Sequence, residues 1–317
     1  MTALAPTATS ARGMSGSRYR LAWGLAVLTA LLLIAGQAKA DPPPPEQAEQ
    51  APPAQPTLPE VTVRAQRQAL ERRVQAFVSS SIREPFEESL ARWNSPICPL
   101  VVGLPREEDK FVRARLSEIA VAAGAPLAPQ PCQANFAVIV AAEPDTVLKA
   151  WYKRDYHLFG DATENQINEW LRTPRAARVW YNTNSESASG LPYTIGISGS
   201  RSNFPVDTTV EASHIVFNSL RAFSSVIVAI DSGRAKGINL DKLADYAAMV
   251  GLAEIRLDAD IGEVPTILRL FSSSEGAKPA GLSDWDAAFL KALYNTSQKT
   301  KLQRSAIIQT MVHHLAP

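Results

Sequence analysis

The chain has 317 residues and a formal net charge of +1 at pH 7. The first 40 residues carry four basic side chains and no acidic one, so the remaining residues have a net charge of −3. A mildly acidic chain has no electrostatic basis for binding nucleic acid, and we expect no nucleic-acid partner. The residues after Pro59 suffice for one large or two small domains with a hydrophobic core.

Residues 1–40 have the pattern of a secretory signal peptide. An apolar stretch covers residues 21–36 and is preceded by three basic side chains, Arg12, Arg18 and Arg20. The small-x-small motif of Ala38, Lys39 and Ala40 follows, which places the first mature residue at Asp41. The alternative is an uncleaved membrane anchor, but the stretch has 16 residues, whereas a spanning helix needs roughly 20.

The signal pattern predicts a periplasmic or secreted protein, exported through the general secretory route. No cysteine lies near the cleavage site, which excludes a lipoprotein anchor. Membrane contact is therefore expected only through the signal peptide before cleavage.

The sequence contains two cysteines, Cys98 and Cys132. Because an exported chain matures in an oxidising compartment, we expect them to form a disulfide. The bond would close a loop of about 35 residues and stabilise the fold by roughly 3 to 4 kcal/mol on the chain-entropy argument. A reactive cysteine pair is the alternative, but the spacing is far from Cys-x-x-Cys.

Residues 41–63 are predicted to be a disordered, Pro-rich tether. Pro, Ala and Gln dominate the segment, which opens with a run of four prolines from Pro42 to Pro45. It lacks the apolar side chains that would order it against a core.

Residues 64–175 are predicted to form a helical and α/β region that contains the disulfide. A helix is expected over 65–82, where apolar residues recur on one face. Short apolar runs at 100–104 and 136–142 predict buried strands, and the helical stripe over 107–123 lies between them. Another helix should begin at Pro144.

Residues 176–317 are predicted to form a strand-plus-helix region, which makes the fold class α+β. Strand patterns occur at 178–183, 214–220 and 224–230, and segment 184–205 predicts a long surface loop because it is rich in Ser, Gly and Asn. Whether the regions before and after residue 175 share one core stays open.

Three helices are expected in the C-terminal part. The first runs from an Asn239 cap to Leu252 and should be buried, because its residues are apolar or small almost all round. The second starts at a capping box formed by Ser283 and Asp286. The third carries the apolar stripe that ends at Leu315.

No established catalytic or cofactor motif occurs in the sequence. No two of the four histidines, His157, His214, His313 and His314, have the i, i+4 spacing of a helical zinc motif. Residues 196–200 lack the last glycine of a nucleophile elbow, and no phosphate-binding loop is present. We therefore expect no metal and no cofactor, and a binding protein rather than an enzyme.

One pair of polar residues interrupts the apolar helix 240–252, namely Asp245 and Tyr246. A buried carboxylate is costly unless it is paired, so Asp245 needs a hydrogen-bonding or cationic partner if it faces inward. The two residues are the candidate binding or polar site. The alternatives are a structural hydrogen-bond network and an aspartate on an exposed strip of the helix.

Three C-terminal segments, 243–252, 265–271 and 281–294, resemble an uncharacterised family of exported proteobacterial proteins of unknown function. With the two-cysteine region, the likeness spans most of residues 65–315. This resemblance implies export, and it implies no activity.

The same segments resemble the skeleton of metzincin-type metallopeptidases, in the order active-site helix, methionine-type turn and closing helix. The resemblance places the two zinc histidines at Ala244 and Ala248, the catalytic glutamate at Asp245, and the turn methionine at Leu268. None of these positions holds the residue that the peptidases use. The resemblance therefore implies a metallopeptidase-like region, 176–317, that has lost its zinc ligands.

Two functions follow as hypotheses. The first is a non-catalytic binding or scaffold protein of the cell envelope, a pseudo-metallopeptidase whose partner is an envelope protein or polymer. The second is a hydrolase of unrecognised type that uses Asp245 and the loop 184–205.

The mature protein should begin at Asp41, because the cleavage motif directly follows the apolar stretch. Amino-terminal sequencing of the protein recovered from the periplasm or medium checks this expectation. Recovery of residues 1–40 still attached to the chain would make the protein membrane-anchored instead.

Overall fold

The computed structural model describes residues 58–83, 89–160, 162–187, 217, 219–272 and 278–316. The predicted signal peptide, residues 41–57 of the tether, residues 188–205 of the predicted loop and His214 lie outside the described residues. Among the described helices, none has the length and apolarity that crossing a bilayer requires.

The described elements alternate helices and strands along most of the chain. In chain order they are α1 (Leu58–Ser81), β1 (Pro99–Val102), α2 (Arg106–Ala123), β2 (Phe136–Ala141), α3 (Pro144–Arg154), a 3₁₀ turn (Tyr156–Phe159), α4 (Glu164–Trp170), β3 (Ala177–Ser187), β4 (Ser219–Asp231), α5 (Leu240–Leu252), a second 3₁₀ turn (Ile267–Phe271), α6 (Asp284–Asn295) and α7 (Gln303–Leu315).

The strands form one mixed sheet in the order β1-β2-β4-β3. β2 is parallel to both of its neighbours, β1 and β4, and β3 is antiparallel to β4 at one edge. The predicted α+β fold class is confirmed. Because β1 and β2 come from the region before residue 175 and β3 and β4 from the region after it, the two regions share one sheet.

Both faces of the sheet are covered by helices. Val138 and Val140 on β2 face a large core formed with α1, α2, α5, α6 and α7. Ile139 faces the other side, where it packs with Leu148 and Phe159 in a smaller core beneath α3 and α4. This alternation follows the period of two along a strand, and burial on both faces explains the nearly continuous apolar run of β2.

The predicted disulfide between Cys98 and Cys132 is confirmed, with the two Cα atoms 6.0 Å apart. Cys98 lies directly before β1, and Cys132 lies in the segment that leads into β2. The backbone N–H of Cys98 also donates to the side-chain oxygen of Asn135 at 2.7 Å. The disulfide and this hydrogen bond together join the starts of two neighbouring strands.

Several element boundaries differ from those that the sequence predicts. α1 begins at Leu58 rather than at residue 65, so the last residues of the expected tether are helical. β3 continues to Ser187, which makes residues 184–187 of the expected loop part of a strand. The predicted strand 224–230 and the described end of 214–220 form one strand, β4, with a register shift opposite Asn182 and Thr183. Pairing between the two long strands overrides the polar composition that predicts a loop.

Of the two helix caps that the sequence predicts, the one at α6 forms its hydrogen bonds and the one at α5 does not. The capping box at the start of α6 is confirmed, because Ser283 and Asp286 exchange side-chain and backbone hydrogen bonds. Asn239 occupies the N-cap position of α5, but its side chain makes no capping hydrogen bond. α5 therefore depends more on its packing than on its cap.

α5 is the helix on which the larger core is built, and every residue from Leu243 to Leu252 is buried, as the sequence predicts. It contacts α2, α6, β4 and the second 3₁₀ turn. Its glycine, Gly251, lies against the ring of Phe136: a Cβ atom at this position would lie 2.0 Å from the ring. The small side chain is thus required for α5 to approach the sheet.

Burial leaves the last carbonyl groups of α5 without water, and three aromatic side chains satisfy them. The hydroxyl of Tyr181 donates to Val250 at 2.7 Å, the indole of Trp93 donates to Gly251 at 2.8 Å, and the hydroxyl of Tyr294 donates to Leu252 at 2.8 Å. Burial raises the pKa of both tyrosine hydroxyls above the usual range. They therefore stay protonated and keep donating at physiological pH.

Gly251→Ala should destabilise the protein by about 1 to 3 kcal/mol, because the added methyl group overlaps the Phe136 ring. At an unhindered helix position the same change would stabilise by about 0.5 to 1 kcal/mol, so the sign of the effect is diagnostic. Urea unfolding measures it. In a matched double variant, Phe136→Leu should recover part of the loss. A Gly251→Ala protein at least as stable as the parent would contradict the packing described.

Candidate functional site

Asp245 lies in the interior, with 3% of its side chain exposed, and it is paired with Arg115 of α2. The Nε atom of Arg115 donates to one carboxylate oxygen at 2.7 Å. The backbone N–H of Leu282 donates to the other oxygen, also at 2.7 Å. The carboxylate therefore joins three parts of the chain: α2, α5 and the segment before α6.

Asp245 itself is buried, but Arg115 and Leu282, the two residues that donate to it, line a cavity of about 530 Å³. A Cβ atom at Gly281 would lie 2.9 Å from the second carboxylate oxygen, so the backbone approaches it closely. The hydrogen bond from Arg115 to Asp245 raises the pKa of the guanidinium, which stays charged. Both oxygens already accept strong hydrogen bonds, so Asp245 serves as a structural anchor in this arrangement.

Tyr246, the other candidate residue, faces a different part of the molecule. Its ring packs edge-on against Phe271 of the second 3₁₀ turn, with 4.9 Å between ring centroids. Burial raises the pKa of its hydroxyl, and the nearby charge of Arg175 opposes that shift. The ring lines a cavity of about 810 Å³ together with Leu268. Asp245 and Tyr246 therefore face different parts of the molecule and do not line one common site.

The positions that the metallopeptidase resemblance assigns to zinc chemistry are apolar. Ala244 and Ala248 are fully buried in α5, and neither side chain can ligate a metal. Leu268 lies in the 3₁₀ turn that packs against α5. His157, His313 and His314 are exposed. Within the described residues, no three His, Cys, Asp or Glu side chains converge on a metal-binding position.

A second buried carboxylate, Asp286, fixes the 3₁₀ turn relative to α6. It accepts hydrogen bonds from the Thr266 hydroxyl at 2.5 Å and from the backbone N–H of Ile267 at 2.8 Å, besides those of the capping box. Burial raises the pKa of this carboxyl, and the four donors oppose the shift. Asp286 is thus committed to structure, and it keeps the turn beneath α5.

A groove also runs along β3, and we name it the β3-edge groove. Its cavity measures about 490 Å³. The end of α4 and the residues after it, within 169–175, line part of the groove; one wall is β3 from Arg178 to Tyr181, and the second wall is the segment 254–258. That second wall is held by backbone pairing with the end of α1: Arg83 donates to Glu254 at 3.2 Å, and Arg256 donates to Ser81 at 2.8 Å.

The backbone of β3 directs hydrogen-bonding groups into this groove. Asp231 donates to the carbonyl of Ala176, which sets the phase of the antiparallel ladder. Along an antiparallel ladder, residues whose backbone groups bond to the neighbouring strand alternate with residues whose groups point away from it. The N–H and C=O groups of Arg178 and Trp180 therefore bond to β4, whereas those of Val179 and Tyr181 point away from β4. None of the described residues pairs with those outward groups. β3 is therefore an edge strand whose free side faces the groove.

Comparisons with protein-family models, with curated proteins and with solved structures give no match to this chain. The assignment of the site therefore depends on its own geometry.

The sequence contains a signal for the partner of Asp245. Arg115 lies three residues after Val112 and four before Ile119, at the border of the apolar stripe of α2, so the spacing places a half-buried arginine beside the buried face of the helix. The β3-edge groove has no comparable signal. Its two walls are more than 70 residues apart along the chain, and only folding brings them together.

Asp245→Ala should lower the free energy of unfolding by about 2 to 4 kcal/mol, because it leaves the Leu282 N–H without an acceptor and Arg115 without its carboxylate. Asp245→Asn should cost less, since an amide oxygen can still accept from Leu282. The exposed Asp241 on the same helix gives the control, and Asp241→Ala should change stability by no more than about 0.5 kcal/mol. An Asp245→Ala protein of parental stability would refute the structural role.

Proposed function

We propose that the chain is an exported, non-catalytic binding or scaffold protein of the cell envelope, a pseudo-metallopeptidase without zinc ligands. Its binding surface is the β3-edge groove, and its partner is an envelope protein that presents an extended segment. The observation that carries the proposal is the state of Asp245, which is buried and accepts hydrogen bonds from Arg115 and Leu282 on its two carboxylate oxygens.

The surroundings of α5 support the absence of peptidase chemistry. A zinc peptidase needs imidazoles one helical turn apart to hold the metal and a carboxylate beside the metal-bound water. Alanine at 244 and 248 offers no lone pair, and the Asp245 oxygens are occupied by the groups that bind them. The alternative hydrolase would need Asp245 as an acid or base beside the loop 184–205. The engaged carboxylate gives that role no support.

The order of the C-terminal elements supports the metallopeptidase lineage. α5, the 3₁₀ turn and α6 follow one another in the sequence, and the turn packs against α5 with Leu268 facing the cavity beside Tyr246. A protein that descends from a metallopeptidase and has lost the zinc ligands can retain the surface that bound the peptide substrate. The free side of β3 supports this use, because an extended chain can add to an exposed sheet edge through main-chain hydrogen bonds.

Protein that begins at Asp41 should retain no stoichiometric zinc after dialysis and should cleave no peptide in a zinc-dependent manner. The physical reason is the absence of metal-donor atoms at residues 244 and 248. Elemental analysis and a cleavage assay on a mixed peptide library, each with and without chelator, measure the two properties. A known zinc peptidase serves as the positive control. About one zinc per chain with chelator-sensitive cleavage would overturn the proposal.

A further inference from the structure

We infer that the β3-edge groove selects an acidic partner: an extended peptide segment whose carboxylates pair with Arg83, Arg175 and Arg256. This inference rests on the proposed binding function and adds the chemical class of the partner. It depends on which charges along the groove are already neutralised by the protein itself.

The acidic side chains of the groove are largely committed to other residues. Glu254 is buried and pairs with Arg221, whose two nitrogen atoms donate at 2.5 and 3.3 Å. Glu169 pairs with Arg172 on the same short stretch of chain. Asp258 is the remaining carboxylate, and it is exposed.

Of the arginines that line the groove, one is paired with a carboxylate within the described residues and three are not. Arg178 is fully buried and binds Asp145 in a two-pronged pair at 2.6 and 2.9 Å. Arg83, Arg175 and Arg256 are exposed, and within the described part of the chain none of them has a carboxylate partner. Among the described residues that line the groove, the unpaired charges are those of three arginines and Asp258, so their balance is positive, even though the mature chain as a whole is negative.

The position of these arginines suits a peptide strand better than a polymer chain. Arg175 precedes β3, whereas Arg83 and Arg256 come from the paired segments of the opposite wall. A strand bound to the outward groups of Val179 and Tyr181 alternates its side chains between two sides. Carboxylates on such a strand can approach the arginine heads while the backbone bonds to β3. A polysaccharide has no amide ladder to match those groups.

The test is fluorescence anisotropy with three labelled nine-residue peptides, in which threonine alternates with glutamate, glutamine or lysine. We expect the glutamate peptide to bind at least about tenfold more tightly than the other two, with affinity that falls as salt rises. In the double variant Arg83→Gln/Arg256→Gln, the affinity for the glutamate peptide should fall about fivefold or more, while the affinity for the glutamine peptide should not change. Arg106→Gln, an exposed arginine outside the groove, is the matched control.

A second variant separates a loss of binding from a loss of folding. Arg175→Gln lies in an exposed connection, so its fold should persist, and it should weaken the glutamate peptide about two- to fivefold. Equal binding of all three peptides would overturn the acidic preference and leave the proposed binding function standing. If none of the three peptides binds, both the acidic preference and the proposed binding function are overturned. Binding of alginate with no binding of the glutamate peptide would replace the peptide by an anionic polymer and overturn the inference.

Discussion

The burial of α5 from Leu243 to Leu252 is the constraint on which the rest of the structure depends. Over these residues the helix cannot use water to satisfy its polar groups, so neighbouring elements must supply each partner. Trp93, Tyr181 and Tyr294 supply donors to its last carbonyls, while Arg115 and the Leu282 N–H supply donors to Asp245. Through these bonds α5 fixes the position of α2, β3, α6 and the segment before β1.

The same constraint explains why small residues occupy the positions of the proposed lost zinc site. Ala244 and Ala248 allow neighbouring elements to pack closely against α5, and Gly251 allows the Phe136 ring to do so. Asp245 remains compatible with this interior because its charge is balanced by Arg115. A catalytic carboxylate needs water or substrate at its oxygen atoms, whereas this one holds backbone and guanidinium groups.

The unpaired side of β3 is a consequence of the sheet order. With β3 antiparallel at the edge, its outward amides can be covered only by elements from other parts of the chain or by a partner. Within the described residues, the Ile255 N–H of segment 254–258 donates to the Tyr181 hydroxyl at 3.1 Å, but the backbone of the segment does not pair with β3, and a groove remains between them. Arginines at the groove then determine what kind of strand suits it, because long-range attraction and close pairing both favour carboxylates.

The sequence by itself determined the α+β class, the Cys98–Cys132 disulfide, the α6 capping box and the burial of residues 243–252 in α5, because each depends on local spacing, cysteine count or apolar content. Only the tertiary structure decided the joint sheet, the full length of β3, the role of Asp245 and the groove. Each of these depends on contacts between distant residues: Arg115 and Asp245 are 130 residues apart, and β3 and segment 254–258 are separated by more than 70 residues of chain. Local patterns determine what a segment can form, and long-range packing selects its partners.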